Sequence, residues 1–442
     1  MKKGSYFLPL ALLFPAVATA AELGINGTTV VRFEERSHPG FSKERVTPAT
    51  QFLGIDATRL MDGNLSLHLY GWGRQDLDNN SVDDSKSEGD LTYGYLQYRF
   101  QKANADLRAG RLFVSEGVGR EQLDGLAIRT DLAGGFTLAL YGGAPVKQDN
   151  SNRGDLLAGG RIALRQSGWL DLGASFLHEN GTVSQQYNGS TSPPTTITDT
   201  TRQLAGGDIW FSPFSAVQVN GYTSYNLTTS SVAEHNYQLQ IKPVKELTIS
   251  GTYTERLFKG YFDGTNLPNL FKPDSHDDVK QYGGSITLAV AEPLELTVDY
   301  QNIERSSTGT TDRYGASARL DMKTISTRAG VGYHRYQTPN TSVTVPYDLS
   351  FHQVNGWVIV TLKDITASID LLGNFYDDHH YPSLNGESKD YTAAASLGYR
   401  ITPAINLSGD LSYGKNALLD EEFKGLIRAE FAFNIEDKRG KK

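Results

Sequence analysis

The sequence predicts an all-β fold: a closed antiparallel transmembrane meander barrel of about 22 strands, with about 18 to 22 as the range. Three observations predict it. Period-two alternation of apolar and polar residues recurs from end to end. Short and long connections alternate between those segments. Charged side chains fall on the face opposite the aliphatic ones.

Residues 1–20 stand apart from the barrel and read as an export signal. Lys2 and Lys3 open it, Tyr6 to Val17 is a short apolar run, and Ala18-Thr19-Ala20 is a small-x-small cleavage site. The run is too short and too proline-broken to span a bilayer. Ala21 is then the new N-terminus. No cysteine follows it, which excludes a lipid anchor on an N-terminal Cys.

Composition narrows the class. The 442 residues include no cysteine, so disulfides, thiolate zinc sites and Cys nucleophiles are excluded. Tyrosine (23) and glycine (45) are abundant, methionine (3) is scarce, and 38% of residues are hydrophobic. After the signal, no stretch approaches the ~18 apolar residues of a membrane helix. A net charge of −8 gives no support to nucleic-acid binding.

The strands show their alternation plainly. In LTISGTYTERL, Leu247, Ile249, Gly251 and Tyr253 alternate with Thr248, Ser250, Thr252 and Thr254. INLSGDLSYG repeats the pattern with Ile405, Leu407, Leu411 and Tyr413. Segments of this kind suit the roughly 9–11 tilted residues that cross a hydrocarbon layer as a strand. Short connections lie at 61–64, 102–104, 132–135, 212–215, 290–293, 363–366 and 402–404. Long polar ones lie at 34–48, 77–90, 180–201, 258–277, 338–349 and 379–387. Two kinds of connection imply two ends facing different compartments. The Ser/Thr/Pro-rich run 184–201 falls in a long-connection slot and reads as an extracellular loop. No domain boundary appears, so 21–434 reads as one barrel and 435–442 as a short periplasmic tail.

Backbone amides in lipid must all be paired, so an all-strand chain has to close. An Arg or Lys facing mid-bilayer lipid costs about 2–4 kcal/mol, which turns the charged face inward. Lumen-lining candidates are therefore Arg32, Arg74, Arg161, Asp171, Asp208, Arg256, Asp299, Arg319, Arg328, Asp370 and Asp410. Tyr98, Phe100, Phe176, Tyr300, Tyr333, Phe375, Tyr399, Phe431 and Phe433 sit near strand ends on the apolar face, as interfacial girdles do.

The final strand, KGLIRAEFAF at 424–433, alternates Ile427, Ala429, Phe431 and Phe433 after Gly425. It is similar to the terminal signal by which outer-membrane barrels are recognised for assembly, although NIEDKRGKK follows Phe433. The whole mature chain resembles Gram-negative outer-membrane porin-type β-barrels. That resemblance implies export to the outer membrane, a surround of outer-membrane lipid, and passive passage of small hydrophilic or charged solutes. No plug domain is expected before a first strand that starts near Leu23.

Other chemistry finds little footing. Loop 76–90 starts like a calcium loop with Asp76, Asp78 and Asn80 but has Ser81 and Ser87 where glycine and a bidentate Glu belong. His276, His379 and His380 lie among carboxylates but lack the helical spacing of a zinc enzyme. No metal and no cofactor is expected. Neither GxSxG nor HExxH occurs, and the expectation is of a protein that is not an enzyme; Ser175 and Ser250 are the polar-face serines considered.

The stretch RAGRLFVSEGVGREQLDG, 108–125, lacks the third small residue and the strand–helix context of a nucleotide loop. Its Gly110-Arg111 and Asp124-Gly125 are similar to the strand end and strand start that flank an inward-folding loop in substrate-selective porins. The resemblance implies Arg108, Arg111, Glu116, Arg120, Glu121 and Asp124 as constriction candidates, with an exposed hairpin as the alternative. A different resemblance, to barrels of porin–cytochrome conduits, implies a sheath around a periplasmic multihaem cytochrome. Tyr70, Trp72, Trp210, Trp357 and Tyr376 suit either role. The chain has no CxxCH of its own, so haem would have to come with the partner.

Overall fold

The computed structural model describes residues 22–37, 44–61, 63–78, 85–146, 155–166, 168–184, 197–257, 278–306, 309–338, 348, 350–378, 384, 386–416 and 421–436, with backbone alone at 36–37, 181–184, 197–200 and 436. The export signal, the end of the tail (437–442), His276, His379 and His380 lie outside them.

Alternating sequence becomes strand throughout. The segments are β1 (Glu22–Ser37), β2 (Glu44–Val46), β3 (Pro48–Leu60), β4 (Leu65–Asp76), β5 (Ser87–Phe100), β6 (Ala105–Glu116), β7 (Gly119–Asp131) and β8 (Phe136–Pro145). They continue as β9 (Leu156–Gln166), β10 (Leu170–Ser184), β11 (Ile197–Phe214), β12 (Val217–Asn226), β13 (Ser231–Val244), β14 (Leu247–Arg256), β15 (Val279–Ala291) and β16 (Leu294–Arg305). The last are β17 (Gly309–Met322), β18 (Thr327–Gln337), β19 (Phe351–Leu362), β20 (Ile365–Tyr376), β21 (Lys389–Thr402), β22 (Ile405–Lys415) and β23 (Glu421–Glu436). β2 and β3 pair successively with β1 and are parted only by Thr47, so together they form one stave. The described residues thus make a barrel of 22 staves.

Each stave pairs antiparallel with its sequence neighbour, and β1 closes on β23 from Glu22↔Glu436 to Ser37↔Glu421. Closure removes the edges, leaving each strand with a neighbour on both sides as a bilayer requires. Ile435 and Glu436 pair with Leu23 and Glu22, so the last strand runs two residues past the expected end at 434.

Parity sets inside and outside. On β16, Leu296, Val298 and Tyr300 are 43%, 53% and 45% exposed on the outer side. Asp299, between them, points inward to Arg313 and His334. The same alternation puts Leu126 and Ile128, Leu172 and Phe176, and Leu411 and Tyr413 outside. Those side chains find no burial within the protein.

The larger of two buried apolar clusters among the described residues lies in an unusual place. Leu112, Val114, Leu123, Ala127, Tyr141, Leu157, Leu177, Leu204 and Ala233 form a buried cluster, with Tyr95 and Val118 packed on it. Its members on β8, β9, β10 and β11 are lumen-facing by parity. Something inside the barrel therefore covers them.

Candidate functional site

The cover is the β6–β7 hairpin. Sequence parity ends the first strand at Gly110 and reads 111–122 as a turn, but the ladder continues from Arg111↔Asp124 to Glu116↔Gly119. Only Gly117 and Val118 form the tip, with Gly117 at φ +62°. The predicted loop is a strand extension because its side chains find a surface to cover.

That extension bends into the lumen. Cα atoms of β7 come within 8 Å of those of β10, three staves away, where a flat wall would hold them about 14 Å apart. Glu116 Oε1 accepts from Arg129 Nη1 at 2.9 Å. Ten residues of extended strand separate Arg129 from Gly119, the ladder partner of Glu116, a span of roughly 33 Å if straight. Only a sharp fold brings them together.

A glycine row marks the bend. Gly110 pairs with Gly125, and Gly125 with Gly143. A Cβ at Gly110 would strike the Gly94 carbonyl, one at Gly125 the Gly142 carbonyl, and one at Gly143 the Asp124 carbonyl. Gly110 also holds φ +132°, which side-chain-bearing residues rarely adopt. Side-chain-free backbone at this level lets three strands coil tightly enough to swing the hairpin inward.

The folded hairpin is held at several points. Val118 N–H donates to Ser175 Oγ at 3.0 Å. Arg120 donates to Tyr222 Oη at 3.0 Å and stacks 4.2 Å above its ring. Arg202, with 12% of its side chain exposed, bridges Glu121 at 2.5 Å and Glu179 at 2.6 Å. Beneath these contacts lies the apolar cluster; burying each Leu contributes about 1.5–3 kcal/mol.

The six constriction candidates divide accordingly. Arg108 lies on the lumenal side, with no hydrogen bond or ion pair to it among the described residues. Glu116, Arg120 and Glu121 lie on the inward hairpin, each held as above. Arg111, Arg120 and Asp124 share one side of the ladder, the side of Phe113 and Leu126, and Glu116 and Glu121 take the other. There Arg111 makes a two-pronged pair with Asp124, at 2.8 and 3.0 Å, and reaches Asp90 at 3.2 Å. The structure therefore does not gather all six into one facing set.

All eleven lumen-lining candidates point inward. Arg161 bridges Asp171 at 2.8 Å and Asp208, and Arg165 joins through Asp171 at 2.7 Å. Arg256 meets Glu234 at 3.1 Å, Arg319 meets Glu295 at 3.6 Å, and Arg32 meets Glu34 at 3.5 Å. Arg74 lies 3.3 Å from Glu88. Asp299 takes Arg313 at 3.2 Å and His334 at 3.0 Å, and Asp370 accepts from Ser368 at 3.5 Å. Arg328 and Asp410 have neither ion pair nor hydrogen bond among the described residues. Arg129, Arg202, Glu179 and Tyr222 were not singled out from sequence, because their role exists only once the hairpin lies against them. Ser175, considered there as a nucleophile, accepts the N–H of Val118 at the tip.

Aromatic rings line the same lumen. Phe52, Tyr70, Tyr93 and Tyr95 run across β3, β4 and β5 with successive centroids 6.4, 5.5 and 5.9 Å apart. Tyr336, Phe351 and Tyr376 form a second group at 4.4 and 5.5 Å.

Comparison with known proteins bears on the fold. No family model matches the chain, and no curated protein matches it. A solved structure of the Pseudomonas aeruginosa ferric enterobactin receptor is similar with a TM-score of 0.58 and 10% identity, covering 92% of this chain and 81% of that one. The Acinetobacter baumannii protein OccAB4 aligns at a TM-score of 0.48 and 10% identity, covering 94% of this chain and 98% of its own. The P pilus usher PapC translocation pore aligns at 0.47 and 11%, covering 94% and 100%. At 10% identity the likeness to the receptor is one of fold. With 22 staves closed antiparallel, aliphatics outside and charge within, the fold of this chain is that of an outer-membrane porin-type β-barrel.

Proposed function

We propose that the protein is an outer-membrane channel for passive passage of small hydrophilic or charged solutes, narrowed from one side by the β6–β7 hairpin. The observation that carries this reading is the anchored hairpin inside a charged lumen. Barrels with more than about 16 strands enclose a lumen that is either water-filled or plugged. Here the hairpin covers the wall from β8 to β12 and leaves the charged faces of β14 to β22 on the other side. Fixed charges lining such a passage set ion preference.

The cytochrome-sheath expectation draws no support from the structural likenesses, and the hairpin fills space that an enclosed partner would need. Conductance of the refolded barrel in a planar lipid bilayer tests the channel. Stable open steps with a measurable charge preference are expected. A silent bilayer, together with a haem Soret band co-purifying from native membrane, would overturn the reading in favour of the sheath.

A further inference from the structure

A separate constellation lies in the lumen beside the turn at 61–64, and passive passage makes no use of it. His68 Nδ1 is 2.6 Å from Asp56 Oδ1, and His68 Nε2 is 2.9 Å from Ser66 Oγ. Asp56 and His68 are ladder partners across β3 and β4, and Ser66 is two residues before His68 on the same lumenal face. Behind them, Ala57, Leu60 and Leu67 pack with Leu23, Leu65 and Leu69 on the outer side and firm the wall.

The hydrogen-bond order follows from chemistry. An ionised carboxylate only accepts, so Nδ1 carries the ring proton. In the neutral ring Nε2 then keeps a lone pair, which accepts the Ser66 hydroxyl proton. Nucleophile, base and orienting carboxylate stand in the sequence that hydroxyl-based acyl transfer requires. About 21% of the His68 side chain and 38% of the Asp56 side chain are exposed, so a solute in the lumen reaches them.

Two neighbours complete the geometry. Tyr95, the ladder partner of His68, lies 5.0 Å from it with planes 29° apart, at the end of the Phe52–Tyr70–Tyr93–Tyr95 row. That row offers flat apolar faces to a planar ring. Gln97 is the ladder partner of Ser66, and Arg108 that of Gln97. Ladder neighbours have Cβ atoms about 5 Å apart, so the Gln97 amide stands beside the hydroxyl on the lumenal face, and the long Arg108 side chain starts one strand further, about 10 Å away.

We propose that Ser66, His68 and Asp56 form an esterase centre in the lumen wall, acting on aryl esters small enough to enter the barrel. Ser66 Oγ bonds to the ester carbonyl carbon as His68 Nε2 takes its proton. Negative charge on the carbonyl oxygen is met by the Gln97 amide, with the positive Arg108 one strand further along the same face. The bond to the aryl oxygen breaks, and that oxygen takes the proton from His68. Water then attacks the acyl-Ser66 carbonyl while His68 takes a water proton, which passes to Ser66 Oγ as it leaves. One ester and one water yield one acid and one phenol. Ser66 and His68 are the catalytic residues; Asp56 is a positioning residue.

The test uses the full barrel in detergent with 4-nitrophenyl acetate as substrate and a fluorophosphonate as covalent probe. Expected are turnover and one probe adduct that tandem mass spectrometry maps to Ser66. Ser66→Ala and His68→Ala lower both readouts by about 100-fold or more. Added imidazole restores labelling in His68→Gly, and Asp56→Asn loses labelling that Asp56→Glu regains. Bilayer conductance of each variant reports that the barrel is intact. The proposal is overturned if the wild type shows neither turnover nor adduct, if the adduct maps elsewhere, or if intact Ser66→Ala keeps the wild-type rate. Should Ser66→Ala not fold, the adduct position on the wild type decides.

Discussion

Arg129 Nη1 lies 2.9 Å from Glu116 Oε1, though the strand between them would hold them far apart if straight. This pair is the clearest measure of the inward fold, and it joins the tip of the hairpin to its root. Glu116 is almost fully buried there (7% exposed), so the bond is sheltered from water.

Breaking that pair loosens the hairpin. Glu116→Gln and Arg129→Ala are each expected to raise open-channel noise in single-channel recordings, while the 22-stave barrel stays folded. Removing a buried charged partner costs about 3–5 kcal/mol at full burial, and less here because 37% of the Arg129 side chain is exposed. Recordings as quiet as wild type would mean that the apolar cluster alone holds the hairpin.

The glycine row is the second point of control. Gly125→Val places side-chain atoms against the Gly142 carbonyl and the Gly143 backbone. Overpacking of this kind costs about 1–3 kcal/mol. The expected outcome is a hairpin unable to seat, seen as new proteolytic cleavage near Gly117-Val118 in the folded barrel. Gly63→Ala, where nothing lies within 4 Å of the Cβ position, controls for glycine loss at a positive-φ turn.

Arg202 holds two carboxylates together. Arg202→Ala leaves Glu121 and Glu179 facing each other without a cation and is expected to lower the urea midpoint of the hairpin's protection from hydrogen exchange. Arg202→Lys restores only part of it, because one ammonium does not reproduce the planar fork of a guanidinium.

Selectivity separates two arginines that sequence alone treats alike. Arg108→Ala removes a lumenal positive charge with no ion pair to it among the described residues and is expected to shift reversal potentials toward cations. Arg111→Ala, on the far side of the ladder and paired with Asp124, is expected to leave them within error of wild type. Equal shifts would contradict the assignment of faces.

Much of this architecture was legible from residue order. Arg161, Asp208, Asp299 and Asp410 were placed inside by counting alternate positions, and Tyr300 and Phe433 outside. Arg111 and Asp124 came as constriction candidates from the resemblance and not from parity, which reaches only to Gly110; the ladder that continues to Glu116↔Gly119 gives them a face that no counting within 105–110 supplies. Ser66 and His68 share one face by their spacing of two. Asp56 joins them only through the β3–β4 register, which runs across an irregular turn where the ladder shifts between Ala57 and Leu60.

By itself, the sequence determined a strand-only chain with one apolar and one charged face, because a period of two is a local property of extended backbone. Only the tertiary structure decided which charges meet. Arg120 and Tyr222 are 102 residues apart and touch because a glycine row lets one hairpin leave the wall. Such contacts depend on strand register and on the bend of a hairpin across its neighbours, and no spacing within a single strand records either.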